Sequence, residues 1–277
     1  MKARSAVLRS RDVVRVAGPE ALTYLQGQLS QDVEALAVGT SADTFVLQPT
    51  GKVDAWMRIS RLADDEYLLD VDAGWGDAVV ARLKRFLLRT DCTVEPVDWE
   101  LVTVLDTAPG SLVAPEGGLA LDVAWPSLTA VDLLAPWVSV PDGVDEVGAA
   151  IWEHRRIAAG IPAMGAEVDD STIPGATGVV DRSASFTKGC YTGQELVARV
   201  DSRVAGTPTR IVRATGDGPA PEAGTALLAD GVEAGVLTSV AADPAGPGFV
   251  ALASVRRAVT APGRVDAAGT PVDLLAD

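Results

Sequence analysis

The chain has 277 residues, 48% of them hydrophobic, and 38 acidic side chains against 23 Lys and Arg, a net charge of −15. That length predicts two domains or more, and the acidic surplus, with no basic run to offset it, argues against nucleic acid as a direct partner. Two cysteines are too few for a disulfide scaffold, no apolar run is long enough for a membrane span, and Met1 to Ser10 does not read as a signal peptide, so a cytoplasmic protein is expected.

Val13, Val14 and Val16 read as a strand ending at Gly18-Pro19. Leu22, Leu25 and Leu29 share one stripe, which predicts a helix over 20–29. Residues 43–48 and 53–59 read as strands joined across the turn Pro49-Thr50-Gly51-Lys52, and 66–71 as a third. In 76–88, Val79, Val80, Leu83, Phe86 and Leu87 form the apolar face of a helix whose Arg82, Lys84 and Arg85 face away. Residues 101–105 and 130–134 read as strands flanking a loop over 108–118. A second strong helix is predicted over 145–159, stopped by Gly160 and Pro162. After Pro208 short apolar runs at 210–214, 226–229, 236–240 and 249–253 alternate with Gly, Pro and Asp turns, the pattern of a small all-β domain. The expectation is an α+β body over 1–206 and a β domain over 207–277, divided near Gly206-Thr207-Pro208.

One segment carries unusual chemistry: Thr187-Lys188-Gly189-Cys190-Tyr191-Thr192-Gly193-Gln194-Glu195. Thr192 and Glu195 have capping-box spacing, which predicts a helix starting at Thr192. Cys190 then lies just ahead of a helix N-terminus with Lys188 nearby, and both favour a thiolate. The other reading is a glycine turn carrying an inert cysteine.

Residues 188–195 match, one for one, the signature of the YgfZ-type proteins, a branch of the superfamily of the glycine-cleavage T-protein, an aminomethyltransferase. Residues 24–32 (YLQGQLSQD), 47–52 (LQPTGK) and 156–162 (RIAAGIP) resemble further family segments in the same order. The resemblance implies two interleaved α+β units around a central opening, followed by a small C-terminal β-barrel. It also implies that the opening binds tetrahydrofolate or a one-carbon derivative. It further implies an accessory role toward client iron–sulfur enzymes in cluster assembly or repair, and in tRNA modification through such enzymes. Catalytic candidates are Cys190 and Lys188. Candidates for the folate site are Gly51, Lys52, Asp54, Trp56, Glu153, Tyr191, Gly193, Gln194, Glu195 and Arg199, the opening being bordered by the Gly51-Lys52 turn and the Cys190 segment. The chain departs from the T-protein pattern twice. Trp56 stands where the T-protein has a catalytic aspartate, with Asp54 two residues earlier, and Ala158 replaces a glutamate that contacts the pterin.

The remaining candidates have ordinary readings. His154, the single histidine, reads as a partly exposed helical residue, and Cys92 as a buried structural thiol. One His and two separated Cys make no closed zinc set and cannot hold an iron–sulfur cluster alone. Arg199, Arg203 and Lys52 are candidate clamps for a glutamate tail or plain solvated cations. Gln26 and Asp32 could border the opening or polarise a helix end. Three functions follow: a folate-binding accessory factor with Cys190 as its thiol, a folate-dependent aminomethyl transferase, and a thiol oxidoreductase built on Cys190.

Overall fold

A computed structural model describes residues 4–201 and 207–276. The chain opens with β1 (Ser5–Arg9), β2 (Arg11–Ala17) and α1 (Ala21–Gln28). β3 (Ser41–Leu47), β4 (Val53–Ala63) and β5 (Glu66–Asp72) lead to α2 (Gly76–Arg85) and β6 (Thr93–Val97). β7 (Glu100–Leu105), β8 (Leu119–Trp125), β9 (Leu128–Ala135) and the short β10 (Asp145–Glu146) precede α3 (Ala149–Ala159). A 3-10 turn at Pro174–Ala176 is followed by α4 (Val180–Ser183) and α5 (Gln194–Asp201). Then come β11 (Thr209–Gly216), β12 (Ala226–Ala229), β13 (Val232–Ala242), β14 (Phe249–Arg256), β15 (Gly263–Ala267) and β16 (Thr270–Leu274).

The first ten strands form two five-stranded sheets, β3-β4-β5-β2-β6 and β10-β1-β7-β9-β8, and the last six close a barrel ordered β11-β14-β13-β12-β15-β16. Only Ser10 separates β1 from β2, yet they belong to different sheets, and the chain crosses back between β6 and β7. The two α+β units are interleaved by these crossings. α1 and α2 cover one face of the β2-bearing sheet, where Tyr24, Leu25, Val79 and Leu83 join Val14, Val16, Leu69 and Val71 in a single core. Tyr24 Oη donates to Leu83 O at 2.6 Å and ties the two helices together.

Several elements differ from the sequence expectation. Asp145 and Glu146 are not helical: they pair in parallel with Ser5 and Ala6, and Val147 N donates to Ala6 O at 2.8 Å. With those backbone groups engaged by β1, α3 begins only at Ala149, after the extended Gly148. α2 stops at Arg85, which leaves Leu88 outside the helix and 78% exposed. The barrel has two strands, β15 and β16, beyond the four read from its turn punctuation. Of the expected boundary residues, Gly206 lies outside the described residues.

Between the two sheets lies a layer of buried charge. Paired positions of adjacent strands share a face, so Arg11, Asp72, Asp70 and Arg58 line one side of the β2-bearing sheet, and Thr103 and Asp132 line the facing side of the other. Arg58 spans the gap, with Nε 2.8 Å from Asp70 Oδ2 and Nη1 2.6 Å from Asp132 Oδ2. Arg11 donates to Asp70 Oδ1 at 3.0 Å and to Asp72, whose other oxygen accepts from Met164 N at 3.0 Å. Burial opposes the Asp70 charge, but Arg58 and Arg11 outweigh it and hold the carboxyl below its ordinary value. Asp72 is held down in the same way by Arg11 and the Met164 amide.

Another buried arginine joins body to barrel. Arg156 of α3 donates to Glu153 at 2.8 Å, to Ile161 O at 3.2 Å and to Ser239 Oγ of β13 at 3.1 Å. Ser239 in turn donates to the fully buried Glu167 at 2.6 Å.

Asp70→Asn should cost about 3–5 kcal/mol in urea unfolding at neutral pH, because two arginines lose a buried counter-charge. The sign with pH follows from the lowered folded-state values. This stability is complete above the unfolded carboxyl value of about 3.9 and is lost as pH falls through the folded ones. Acid titration of the wild type should therefore show a steeper loss of stability than that of Asp70→Asn.

Candidate functional site

A central cavity of about 570 Å³ opens above the charged layer. Its walls include Trp56 and Arg58 of β4, Asp43 of β3, Trp125 of β8, Arg182 of α4, Trp152 and Glu153 of α3, and the loop from Ile161 to Ala166. Trp56 Nε1 donates to Ser183 Oγ at 2.9 Å, and its ring meets Trp125 edge-on at 6.5 Å between centroids. The Arg182 guanidinium stacks 3.8 Å from the Trp125 ring and donates to Asp43 at 2.6 Å. Two indoles from different units thus form an aromatic wall beside carboxylates at Asp43 and Glu153. Of the sequence candidates, Trp56 and Glu153 line this cavity. Asp54 does not: its carboxylate accepts from Arg82 Nε at 2.9 Å, and Arg82 also donates to Leu47 O and Gln28. Ala158 also does not line it.

Sequence reasoning missed Asp43, Arg58, Asp70, Trp125, Asp132 and Arg182. A signal did exist for two of them. Asp70 sits in Leu68-Leu69-Asp70-Val71 and Asp132 in Val131-Asp132-Leu133, ionisable residues inside apolar strands, and such residues are rarely buried unless paired.

The Cys190 segment forms a separate place. Gly51 and Gly193 both have positive φ, +85° and +80°, and their backbones touch: a Cβ on Gly193 would lie 2.6 Å from Gln48 O, and one on Gly51 2.3 Å from Leu196 Cβ. Glycine is required at both positions by this approach as well as by φ. Lys188 is directed at α1 rather than left beside the thiol. Its Nζ donates to the carbonyls of Gln26, Leu29 and Gln31 at 2.7, 2.9 and 2.8 Å, which accounts for all three ammonium protons. Burial lowers its pKa to about 8 against the pull of Asp32 and Glu34. Thr192 N donates to Gly27 O, closing the same junction. α5 begins at Gln194, two residues after the expected start, and Gln194 Oε1 accepts from Tyr191 N at 3.0 Å.

Cys190 is exposed, at the edge of a second cavity of about 440 Å³ lined by Pro49, Thr50, Tyr191, Gly193, Gln194, Glu195 and Leu196. Among the described residues the two cavities share no lining residue, so the single opening expected from the sequence resolves into two concavities. Lys52 is exposed on its turn and lines neither. Gln26 and Asp32 bond to each other at 2.9 Å and brace the chain after α1. The side chain of Arg199 and all of Arg203 lie outside the described residues. Cys92 is half-buried beside Gly18 and Glu20, where burial raises its thiol pKa. It sits at the start of α1 and Cys190 beyond the end, so the helix, about 12 Å long at 1.5 Å per residue, keeps them outside disulfide reach. Among the described residues no group of three or more His, Cys, Asp or Glu could hold a metal, and no helix is long and apolar enough to cross a membrane.

No family model matches the chain. An uncharacterized protein of Haemophilus influenzae is 30% identical over 200 residues, which is 72% of this chain and 69% of that protein. The tRNA-modifying protein YgfZ of Pectobacterium carotovorum is 28% identical over 68% of this chain and 63% of its own length. The iron-sulfur cluster assembly factor IBA57 homolog, mitochondrial, of Mycosarcoma maydis is 27% identical over 68% of this chain, but the match spans 51% of that longer protein. The crystal structure of glycine cleavage system aminomethyltransferase T from Bartonella henselae superposes with a TM-score of 0.83, covering 99% of this chain and 85% of its own, at 18% identity. The chain belongs to the YgfZ-type branch of the T-protein superfamily. The family's fold is a mixed α and β body followed by a closed six-stranded barrel. Within that fold, the YgfZ-type signature at 188–195 is a brace: its lysine caps the end of α1 and its second glycine seats against the β3–β4 turn.

Lys188→Met should strand three carbonyls and lower thermal stability by about 3 kcal/mol, with faster proteolysis within residues 187–195. Gly193→Ala should cost about 2 kcal/mol through strain at positive φ, while Lys52→Ala should leave the melting temperature unchanged.

Proposed function

We propose that this chain is a tetrahydrofolate-binding accessory protein for client iron–sulfur enzymes, among them enzymes that modify tRNA, with Cys190 as its functional thiol. The observation that carries the reading is the central cavity, within the usual range for small-molecule sites, enclosed by the fold of an aminomethyltransferase. The donor set fits a reduced folate. The indoles of Trp56 and Trp125 offer apolar walls to a flat pteridine, and Asp43 and Glu153 offer acceptors for its amino and ring N–H groups. A bound folate would supply a one-carbon carrier; the chain's own residues orient it and exclude water. The names of relatives, a tRNA-modifying protein and an iron-sulfur cluster assembly factor, support the accessory role.

Cys190 is exposed and lines a cavity distinct from the central one, which suits a thiol that meets a partner protein rather than the bound folate. Lys188 positions that thiol by fixing the segment to α1. Aminomethyl transfer is disfavoured, because Trp56 replaces the aspartate and the nearby Asp54 carboxylate is held by Arg82. A two-cysteine redox cycle is disfavoured by the placement of Cys92 at the far end of α1.

Calorimetric titration with several tetrahydrofolate forms should show one-to-one binding, weakened by about 1–3 kcal/mol in Trp125→Ala if the indole stacks on the heterocycle, by analogy with base stacking. Binding of no reduced folate at protein concentrations well above micromolar would remove the folate half of the reading. In the native protein Cys190 should alkylate faster than the half-buried Cys92, as peptide mapping would read. Cys190→Ser should keep its melting temperature yet fail to sustain a client iron–sulfur enzyme; full support by this variant would remove the thiol half.

A further inference from the structure

Three arginines reach the buried layer under the central cavity, and they are not equally served. Arg58 donates from Nε and Nη2 to Asp70 and from Nη1 to Asp132. Arg11 donates from Nε, Nη1 and Nη2 to Asp70, Asp72 and Asp70 O. Arg9, at the end of β1, makes one long hydrogen bond from Nη1 to Thr103 Oγ1 at 3.4 Å, and its nearest carboxylate, Asp132, lies 3.7 Å away. Asp132 is already taken: Oδ1 accepts from Thr103 at 2.5 Å and Oδ2 from Arg58 at 2.6 Å. Among the described residues Arg9 Nε and Nη2 donate to nothing, though the side chain is only 14% exposed and lines the cavity. The guanidinium carbon sits over the Trp152 ring, 3.7 Å from its centroid, so the indole packs against the group. Burial brings its pKa down to about 10, with Asp132 pulling the other way, while that of the fully paired Arg58 is raised.

These Arg9 donors are open to the cavity and meet no protein group among the described residues, which leaves them free to take a ligand there. The planar fork of the guanidinium, packed against an indole, matches the two oxygens of a carboxylate. We infer that Arg9 is the anchor for a carboxylate of the ligand that occupies the central cavity; the folate reading is needed only to name that carboxylate as the glutamyl end of the molecule. This orientation turns the glutamyl end toward β1 and α3 and leaves the Trp56–Trp125 wall for the heterocycle.

The test compares wild type, Arg9→Met and Arg9→Lys by calorimetry with 5-formyltetrahydrofolate, p-aminobenzoylglutamate and tetrahydrobiopterin, the last of which has no carboxylate. Arg9→Met should bind the first two about ten- to a hundred-fold more weakly, the loss of a charged hydrogen-bonded contact, and bind tetrahydrobiopterin as the wild type does. Arg9→Lys, which keeps the charge without the fork, should recover part of the loss, and it carries the comparison if the methionine variant fails to fold. Without ligand, Arg9→Met should melt no lower than the wild type, because it removes an incompletely paired buried charge. Equal binding of 5-formyltetrahydrofolate by wild type and Arg9→Met overturns the anchor and leaves the folate reading standing. An equal loss of tetrahydrobiopterin binding also overturns it. Wild type that binds p-aminobenzoylglutamate through Arg9 but no reduced folate sustains the anchor and defeats the folate reading; wild type that binds none of the probes defeats both.

Discussion

Arg58 holds one carboxylate from each of two sheets, Asp70 from its own and Asp132 from the other, and the arrangement of the body depends on that bridge. Desolvating such charges is expensive, and the mutual attraction offsets the cost only when geometry and further hydrogen bonds are complete. Here Arg11, donating to Asp70, and Thr103, donating to Asp132, complete them. An apolar layer could join the sheets at many offsets with little difference in energy. A lattice of directional pairs accepts one offset, and so sets where the two units stand relative to each other. The cavity is the space left above the lattice, and its aromatic wall, with Trp56 from one unit and Trp125 from the other, exists only at that offset.

The same logic recurs at the barrel. Arg156 gathers Glu167, Ser239 and Ile161 O into one buried knot and holds the part-exposed Glu153 at its rim. The helix that supplies Trp152 and Glu153 to the cavity wall is therefore also the helix that seats the barrel. A change in how the barrel docks would reach the cavity through a single rigid element.

The YgfZ-type signature shows a different division of labour. Half of its residues hold the backbone: Lys188 on three carbonyls, Thr192 on Gly27 O, Gln194 on Tyr191 N, and Gly193 against Gln48. The side chains this scaffold leaves exposed are those of Cys190 and Glu195. A segment so firmly tied down presents its thiol in one place, which suits a role in meeting a partner.

Much of this was legible along the chain. Apolar spacing marked α1, α2 and most of α3, turn residues marked the barrel, and eight consecutive residues identified the family. These signals are local: a stripe at helical period or a Gly-Pro break depends on residues within a few positions of one another. Asp70 and Asp132 also announced that buried partners must exist, because a charge within an apolar strand demands one. The sequence could not say which partners. Lys188 finds Gln26 O across 162 positions, Arg58 finds Asp132 across 74, and Asp145 joins β1 in place of continuing a helix. Those pairings follow from strand register and from the two crossings between sheets, where a shift of one residue would turn every side chain to the opposite face. Composition, family and the type of most elements were therefore determined by the sequence alone. The separation of the Cys190 concavity from the central cavity, and the idle donors of Arg9, were decided only when the sheets came together.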